Sequence, residues 1–358
     1  MAKIDQFLRL MQQQKASDLH LTVGSVPVMR VHGQLTRVKF RELTQSDLKT
    51  LMYEIMSDEK KRVFEDTHDV DFAYEIAGLA RFRVNLFMQR KGMGAALRTI
   101  PETILTADQL GLPEVVRKLC QLNKGLVLVT GPAGSGKSTT LAAMIDLINE
   151  TRAEHILTIE DPVEFTHANK KGLVNQREVG GNTRSFATAL RAALREDPDV
   201  LLVGEMRDPE TIALGLTAAE TGHLVFGSLH TSSAPKTIDR IINRFPASEQ
   251  EQIRAMLGET LRGVIAQQLP RKADGGGRVA AFEILIVTPA ISNLIREGKT
   301  HQIAGMMQTG RKDGMVTMDQ SLLTLLGSGT ITPEDAYAKG QDKSAFLEYL
   351  KGEPPPTV

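Results

Sequence analysis

The stretch GLVLVTGPAGSGKSTTLAAMIDLINE, residues 125–150, decides the fold of this chain. Its apolar run GLVLVT (125–130) is typical of a buried strand, and TTLAAMIDLINE (139–150) is typical of a helix. Between them, GPAGSGKS (131–138) fits the pattern G-x-x-x-x-G-K-[ST] of a phosphate-binding loop. A strand, a glycine-rich loop and a helix in this order place backbone N–H groups and a helix N-terminus around one anion.

The loop predicts a site for ATP and Mg²⁺. The glycines let the backbone curl so that its N–H groups face phosphate oxygens. Lys137 is expected to reach the β- and γ-phosphates, and Ser138 is expected to hold Mg²⁺. The predicted nucleotide-binding residues are Gly131, Pro132, Ala133, Gly134, Ser135, Gly136, Lys137, Ser138 and Thr139.

After the loop, strand-like and helix-like segments alternate, which predicts an α/β domain with βαβ units and a mostly parallel sheet. These segments are HILTIE (155–160), SFATALRAALRE (185–196), VLLVGE (200–205), PETIALGLTAAET (209–221) and HLVFGSLH (223–230). Asp208 is the predicted N-cap of the fourth segment, followed by a proline at the first helical position. From about residue 246 the pattern is mainly helical, interrupted by a hairpin predicted at 267–287.

Before the loop, the pattern is different. Residues 1–97 predict a separate α+β module, with an amphipathic first helix and strands at 69–76 and 81–90. Residues 98–113 contain two prolines and no clear period, so they are interpreted as an interdomain linker. The second domain, with its C-terminal helices, is expected to span 114–350. The tail 351–358, which includes EPPPTV, is expected to be mobile.

Carboxylates follow two of the predicted strands. Nucleotide hydrolysis needs a magnesium partner and a group that orients water, and ligands of parallel sheets bind beyond the carboxyl ends of strands. Glu205 comes just after the run VLLVG and is the predicted second magnesium ligand. TIEDPVEF (158–165) offers Glu160, Asp161 and Glu164, of which Glu164 is the predicted water-polarising residue. The pattern leaves open whether Glu205 or Glu164 is the base that activates water.

Two histidines and two arginines are further candidates. His223 begins a predicted strand and His230 ends it, so they cannot bind one ligand by local geometry. His230 is a candidate for contacting the γ-phosphate or for linking it to a neighbouring segment; the alternative is a hydrogen-bonded histidine of the core or of an interface. Strand alternation places Arg81 and Arg83 on one face of RFRVNLFMQR, which is either solvated or met by an anion.

Composition excludes several classes of protein. The 358 residues contain 43 Lys+Arg and 43 Asp+Glu, with 4% aromatic residues and no Trp, which weakens a nucleic-acid-binding reading. A single cysteine, Cys120, rules out an intramolecular disulfide and a Cys-rich zinc site. No segment has the length and apolarity of a membrane span or a signal peptide. A cytoplasmic protein that meets membranes only through partners is expected.

Taken together, four motifs resemble the secretion ATPase superfamily of type II secretion and type IV pili, the GspE/PulE family. GPAGSGKST matches the Walker A loop, TIEDPVEF the Asp box, LLVGEMRD the Walker B box and GHLVFGSLHTSSA the His box, in the same order. ASDLHLTVGSVPVMRVHG (16–33) and AISNLIREGK (290–299) resemble the PilT-type subgroup. The resemblance covers essentially the whole chain. It departs at Ala133, where the family usually has Thr, and at Ser292, where the subgroup has Arg.

The resemblance implies a PAS-like N-terminal domain joined to a RecA-like P-loop ATPase domain with a helical C-terminal subdomain. It further implies a homohexamer beneath the inner-membrane platform protein of a type IV pilus, where ATP hydrolysis retracts the pilus and powers twitching motility. Family members direct N-terminal arginines at bound nucleotide, which implies this role for Arg81 and Arg83, here expected toward the neighbouring subunit. Assembly-type relatives generally carry a four-cysteine zinc site, so one cysteine favours the retraction type.

The sequence leaves alternative functions open. A pilus assembly ATPase or an accessory retraction ATPase belongs to the same superfamily, and residues alone do not give the direction of force. A ring-shaped nucleic-acid motor is the more distant alternative. In AISNLIRE, the stripe formed by Ile291, Leu294 and Ile295 is either core of the helical subdomain or a surface that passes motion to the platform protein.

Overall fold

The computed structural model describes residues 2–31, 34–100 and 103–350. The chain divides into two compact units, Met1–Thr103 and Ile104–Val358. Within the described residues, no helix combines the length and hydropathy that crossing a bilayer demands. The tail predicted to be mobile, 351–358, lies outside the described residues.

The N-terminal unit is an antiparallel sheet packed against helices. Its strands follow the order β3-β2-β1-β6-β5-β4. Its elements are α1 (Asp5–Gln13), β1 (Ala16–Thr22), β2 (Val28–Val31), β3 (Gln34–Arg37), α2 (Gln45–Tyr53), α3 (Asp58–Thr67), β4 (Asp69–Ile76), β5 (Ala80–Gln89) and β6 (Gly92–Ile100). The apolar stripe of the predicted first helix is Ile4, Phe7, Leu8 and Met11; Ile4, Leu8 and Met11 are fully buried, and Phe7 is partly buried. These side chains join one core cluster with the inward residues of the sheet.

The predicted linker 98–113 differs from the structure. Residues 98–100 complete β6, where Arg98 pairs with Asp18 of β1 and Ile100 pairs with Arg81 of β5. In the C-terminal unit, Ala107 and Leu112 are buried in a core cluster. Strand β6 was missed because GMGAALRTI is rich in Gly and Ala, which have low β propensity, and central pairing overrides that propensity.

The C-terminal unit is a seven-stranded sheet covered by helices on both faces. Its strands are β7 (Gly125–Thr130), β8 (His155–Glu160), β9 (Leu173–Glu178), β10 (Val200–Val203), β11 (Leu224–Leu229), β12 (Leu261–Gln268) and β13 (Ala281–Ile286). Its helices are α4 (Glu114–Leu119), α5 (Lys137–Thr151), α6 (Phe186–Ala193), α7 (Pro209–Glu220), α8 (Ala234–Ile242), α9 (Gln250–Thr260), α10 (Pro289–Arg296), α11 (Ile303–Thr309), α12 (Met318–Gly327) and α13 (Pro333–Lys339).

The sheet order is β13-β12-β7-β11-β10-β8-β9, and every neighbouring pair is parallel except β12 with β13. Helices α4 and α5 cover one face. Helices α6 to α11 cover the other. Strands β7, β10 and β11 are buried along their whole length, which explains their unbroken apolar runs. The predicted α/β domain with a mostly parallel sheet is confirmed.

Several local predictions agree with the structure, and two strands differ. Helix α7 begins at Pro209, and its N-cap Asp208 accepts a hydrogen bond of 2.9 Å from the Thr211 N–H. The predicted hairpin is formed by β12 and β13, but β12 starts at Leu261, inside the segment expected to be helical, because it pairs in parallel with β7. Strand β9 was not predicted, since LVNQRE is polar and lies at the sheet edge.

Candidate functional site

The glycine-rich loop connects β7 to α5 and has the backbone shape that its sequence predicts. Gly131 has φ 149° and Gly136 has φ 86°, both in the region that favours glycine. A Cβ on Gly131 would come within 2.4 Å of the Gln267 carbonyl oxygen, and one on Gly136 within 2.9 Å of the Gln267 Nε2. Two constraints therefore require glycine at these positions: the positive φ angles of the loop and its close contact with β12.

Lys137 is buried at the first position of α5, with its ammonium group turned back into the loop. Its Nζ donates to the carbonyl oxygens of Gly131, at 3.0 Å, and of Pro132, at 3.1 Å. Burial lowers the pKa of Lys137, and the negative charges of Glu205 and Glu164 oppose that shift. An ammonium group that lies in the loop and donates to neutral carbonyl oxygens can exchange them for an anionic phosphate, which forms stronger, charge-assisted hydrogen bonds.

Glu205 lies at the carboxyl end of β10, next to two basic side chains. Its Oε1 is 3.1 Å from the Nε2 of His230 and also pairs with the Nε of Arg207. Gly204 precedes it, at a strand end where P-loop proteins commonly have an Asp. A Cβ there would come within 3.2 Å of the Glu160 Cα, so the close approach of β8 explains the glycine.

His230 connects these groups. In addition to its contact with Glu205, its Nδ1 is 3.4 Å from the Nζ of Lys137. His223 lies at the opposite end of β11, where its Nδ1 is 2.9 Å from the Ala218 carbonyl oxygen. The two histidines are therefore separated as expected, and only His230 lies at the phosphate-binding edge.

The acidic segment, residues 160–167, begins with the last residue of β8 and contains carboxylates in different environments. The Glu160 carboxylate is buried, which raises its pKa, and it accepts hydrogen bonds from Thr158 Oγ1 at 2.7 Å, from Gln176 Nε2 at 3.1 Å and from the backbone of Glu164. Asp161 is exposed, and its charge helps to raise the pKa of Arg207 after the larger effect of Glu205. Glu160 is thus a structural group, whereas the Glu164 charge acts on Lys137.

The remaining predicted residues are placed as follows. Ser138 and Thr139 lie in the first turn of α5, half-buried. Arg81 and Arg83 lie in β5 of the N-terminal unit, where Phe82 and Val84 are fully buried on the other face. The Nε of Arg83 is 3.6 Å from an oxygen of Asp71, so an anion of its own unit already faces it.

Sequence reasoning missed two glutamines that support the site. Gln267 of β12 accepts a 2.7 Å hydrogen bond from Thr140 Oγ1 of α5 and lies against the loop. Gln176 of β9 is bonded to the acidic segment around Glu164. For Gln267 the signal was an amide inside the predicted hairpin, next to apolar residues; for Gln176 the sequence carried no such signal, because β9 was not predicted as a strand.

Known proteins match this chain over almost its whole length. The family described as "Type II/IV secretion system protein" matches residues 1–336. A type IV pilus retraction ATPase, PilT of Pseudomonas aeruginosa, is 54% identical over 343 residues, covering 96% of this chain and 99% of that protein. A twitching motility protein of Neisseria gonorrhoeae is 54% identical over 320 residues, covering 89% of this chain and 86% of that protein.

A solved structure also matches. The crystal structure of the pilus retraction motor PilT with bound ADP superposes with a TM-score of 0.89 at 49% identity, covering 98% of this chain and all of that one. It shares the N-terminal antiparallel sheet and the parallel-sheet ATPase domain.

Proposed function

Because the chain belongs to the type II/IV secretion system protein family, we propose that it is a motor that hydrolyses ATP to retract type IV pili and so powers twitching motility. The proposal that the protein hydrolyses ATP rests on the placement of Lys137. Its ammonium group lies in the glycine-rich loop, and the charges of Glu205 and Glu164 act to raise its pKa. The pilus part rests on relatives that are similar over nearly the full chain.

ATP is bound by the loop residues 131–139, whose N–H groups and Lys137 hold the phosphates. The Glu164 carboxylate orients or deprotonates the attacking water, with Glu205 as the other candidate for this base. His230 lies beside both Glu205 and Lys137, so it responds to the charge at the γ-phosphate position. Positioning and electrostatics of this kind are the main contribution of protein residues to phosphoryl transfer.

The residues of the site also fit a magnesium ion. The Ser138 hydroxyl and the Glu205 carboxylate would hold the ion, because both offer the hard oxygen ligands that Mg²⁺ prefers. A Mg²⁺ site in such enzymes needs only one or two protein ligands, because phosphates and waters complete it. When bound, the ion would neutralise the negative charge that develops on the phosphate oxygens.

At the level of assembly, six copies form a ring at the cytoplasmic face of the inner membrane, beneath the platform protein of the pilus. Within each copy, the antiparallel-sheet unit is PAS-like and the parallel-sheet unit is RecA-like. Arg81 and Arg83 reach the nucleotide of the neighbouring subunit. The support for these statements is the similarity to the retraction motor, together with the basic strand β5.

A deletion strain tests the pilus function. We expect excess surface pili and lost twitching, with both restored by the wild-type gene and not by the Lys137→Ala variant. Loss of surface pili would instead indicate an assembly motor. With purified protein, DNA should leave the ATPase rate unchanged; stimulation by DNA that falls steeply with salt would indicate a nucleic-acid motor.

A further inference from the structure

The side-chain amide of Gln176 makes three hydrogen bonds to one short segment. Its Oε1 accepts from the His167 N–H at 2.8 Å. Its Nε2 donates to the Phe165 carbonyl oxygen at 2.8 Å and to Glu160 Oε1 at 3.1 Å. One amide thus uses its acceptor and both donors on residues 160–167, which comprise the end of β8 and the loop that follows it.

Glu164 lies in the middle of the segment that these bonds hold. Its own N–H donates to the Glu160 carboxylate, which Gln176 holds in turn. On one side of Glu164, the Phe165 carbonyl is bound by Gln176; on the other, the Val163 N–H donates to Glu178 Oε2 at 3.0 Å. Gln176 and Glu178 are two residues apart, so they project from the same face of β9.

We infer that Gln176 is a positioning residue of the ATPase site, which fixes the backbone around Glu164 and thereby the direction of the Glu164 carboxylate. The inference rests on the proposed role of Glu164 in hydrolysis. It predicts that Gln176 affects the chemical step and not nucleotide affinity, because its bonds go to the acidic segment and none of those found goes to the glycine-rich loop.

The amide chemistry at this position is specific. Alanine removes all three bonds. Glutamate keeps the acceptor for the His167 N–H but loses both donors and places a second carboxylate beside buried Glu160. Protonation of that new carboxyl restores one donor, so Gln176→Glu should recover activity as the pH falls. A merely structural role would give this pH dependence in the thermal stability of the variant and not in the kcat of the folded enzyme.

The neighbouring residue offers a matched control. Asn175 is also an amide in β9, but it is exposed and points to the other face, where its Nδ2 lies 2.8 Å from His155 Nε2. We expect Gln176→Ala to lower kcat by about 10- to 100-fold, the size of effect that small misplacements cause, with KM for ATP and affinity for ADP within about twofold of wild type. Asn175→Ala should keep kcat within about twofold.

A double-mutant cycle with Glu164→Ala decides whether Gln176 acts through Glu164. If it does, Gln176→Ala causes no further loss of kcat in the Glu164→Ala background. Equal losses in both backgrounds, or a folded Gln176→Ala protein with wild-type kcat, overturn the inference. If Gln176→Ala does not fold, the kcat of Gln176→Glu is measured from pH 6 to 8, and a wild-type kcat over that range overturns the inference. If neither variant folds, Gln176 is a stability residue, which also overturns the inference. Wild-type kcat in Glu164→Ala would instead refute the proposed role of Glu164.

Discussion

The Nε2 of His230 lies 3.1 Å from the Oε1 of Glu205. The two residues follow β11 and β10, which are adjacent and parallel, so their carboxyl ends bring the two motifs together. The other ring nitrogen of His230 is 3.4 Å from Lys137 Nζ. His230 therefore bridges the anionic and cationic groups of the proposed ATPase site.

Replacing His230 by Ala should lower kcat by about 10- to 100-fold, because polar contacts to charged groups contribute about 1.5–3 kcal/mol. Steady-state ATPase measurements check this. His223→Ala is the matched control, since His223 lies at the opposite end of the same strand and should leave kcat nearly unchanged. Equal effects of the two substitutions would contradict the bridging role.

Glu205→Ala should spare nucleotide binding and reduce turnover by about 100-fold or more, as expected for loss of a positioned acid–base or metal-orienting group. Lys137→Ala should abolish turnover, because the phosphates lose their cation. Binding of a fluorescent ATP analogue and phosphate release are measured in parallel. Full ATPase activity in the Glu205 variant would refute its assignment.

His167 should make the folded protein less stable in mild acid. Burial lowers its pKa from 6.5 to about 4, although Asp146, 4.0 Å away, opposes the shift and Lys170 adds to it. Below pH 6.5, His167 is therefore protonated in the unfolded chain but stays neutral in the folded chain. The free energy of unfolding consequently decreases as the pH falls from 6.5 towards 4. At about 1.4 kcal/mol per pKa unit, the loss is roughly 3 kcal/mol.

Urea denaturation between pH 4.5 and 7.5 measures this effect. His167→Gln should flatten the pH dependence in that window, whereas His301→Gln, at an exposed histidine, should leave it as in wild type. Parallel curves for wild type and His167→Gln would show that another group controls acid stability.

Residues of the apolar stripe on helix α10 differ in burial. Ile291 and Ile295 are fully buried, whereas Leu294 is only partly buried against the same cluster. Ile295→Ala should cost about 2–5 kcal/mol of unfolding free energy, and Leu294→Ala should cost clearly less. Thermal melting, ATPase rate and twitching are compared. Lost twitching with normal melting and ATPase in Leu294→Ala would indicate a partner surface; melting as severe as in Ile295→Ala would indicate core.

Arg81 and Arg83 should act on a neighbouring subunit. Mixing an Arg81→Ala/Arg83→Ala protein with a Lys137→Ala protein should restore some ATPase, because an intact loop from the first then meets intact arginines from the second. Subunit exchange is verified with differently tagged copies. The contact between Arg83 and Asp71 offers a control: Asp71→Ala alone should not lower the ATPase rate. Mixed rings without recovered activity would exclude action in trans.

Local sequence patterns were sufficient where structure is set by neighbours along the chain. The glycine-rich loop, the capped start of α7 and the stripe of α1 depend on residues a few positions apart. Strands β6 and β9 were missed because their residues have low strand propensity. Pairing with strands distant in the sequence stabilises them in the folded protein. The start of the predicted linker differed from the structure for the same reason, because residues 98–100 complete β6.

The sequence by itself determined that a phosphate-binding loop opens a helix, that acidic and histidine motifs end strands, and that the sheet is mostly parallel. Only the tertiary structure decided which of those ends meet. The order β7-β11-β10-β8-β9 brings His230, Glu205 and the Glu164 segment to the edge that holds Lys137, and it places Gln176 beside that segment. Periodicity reports which face of a strand is buried, but sheet order is set by packing between residues far apart in the chain, which local patterns do not encode.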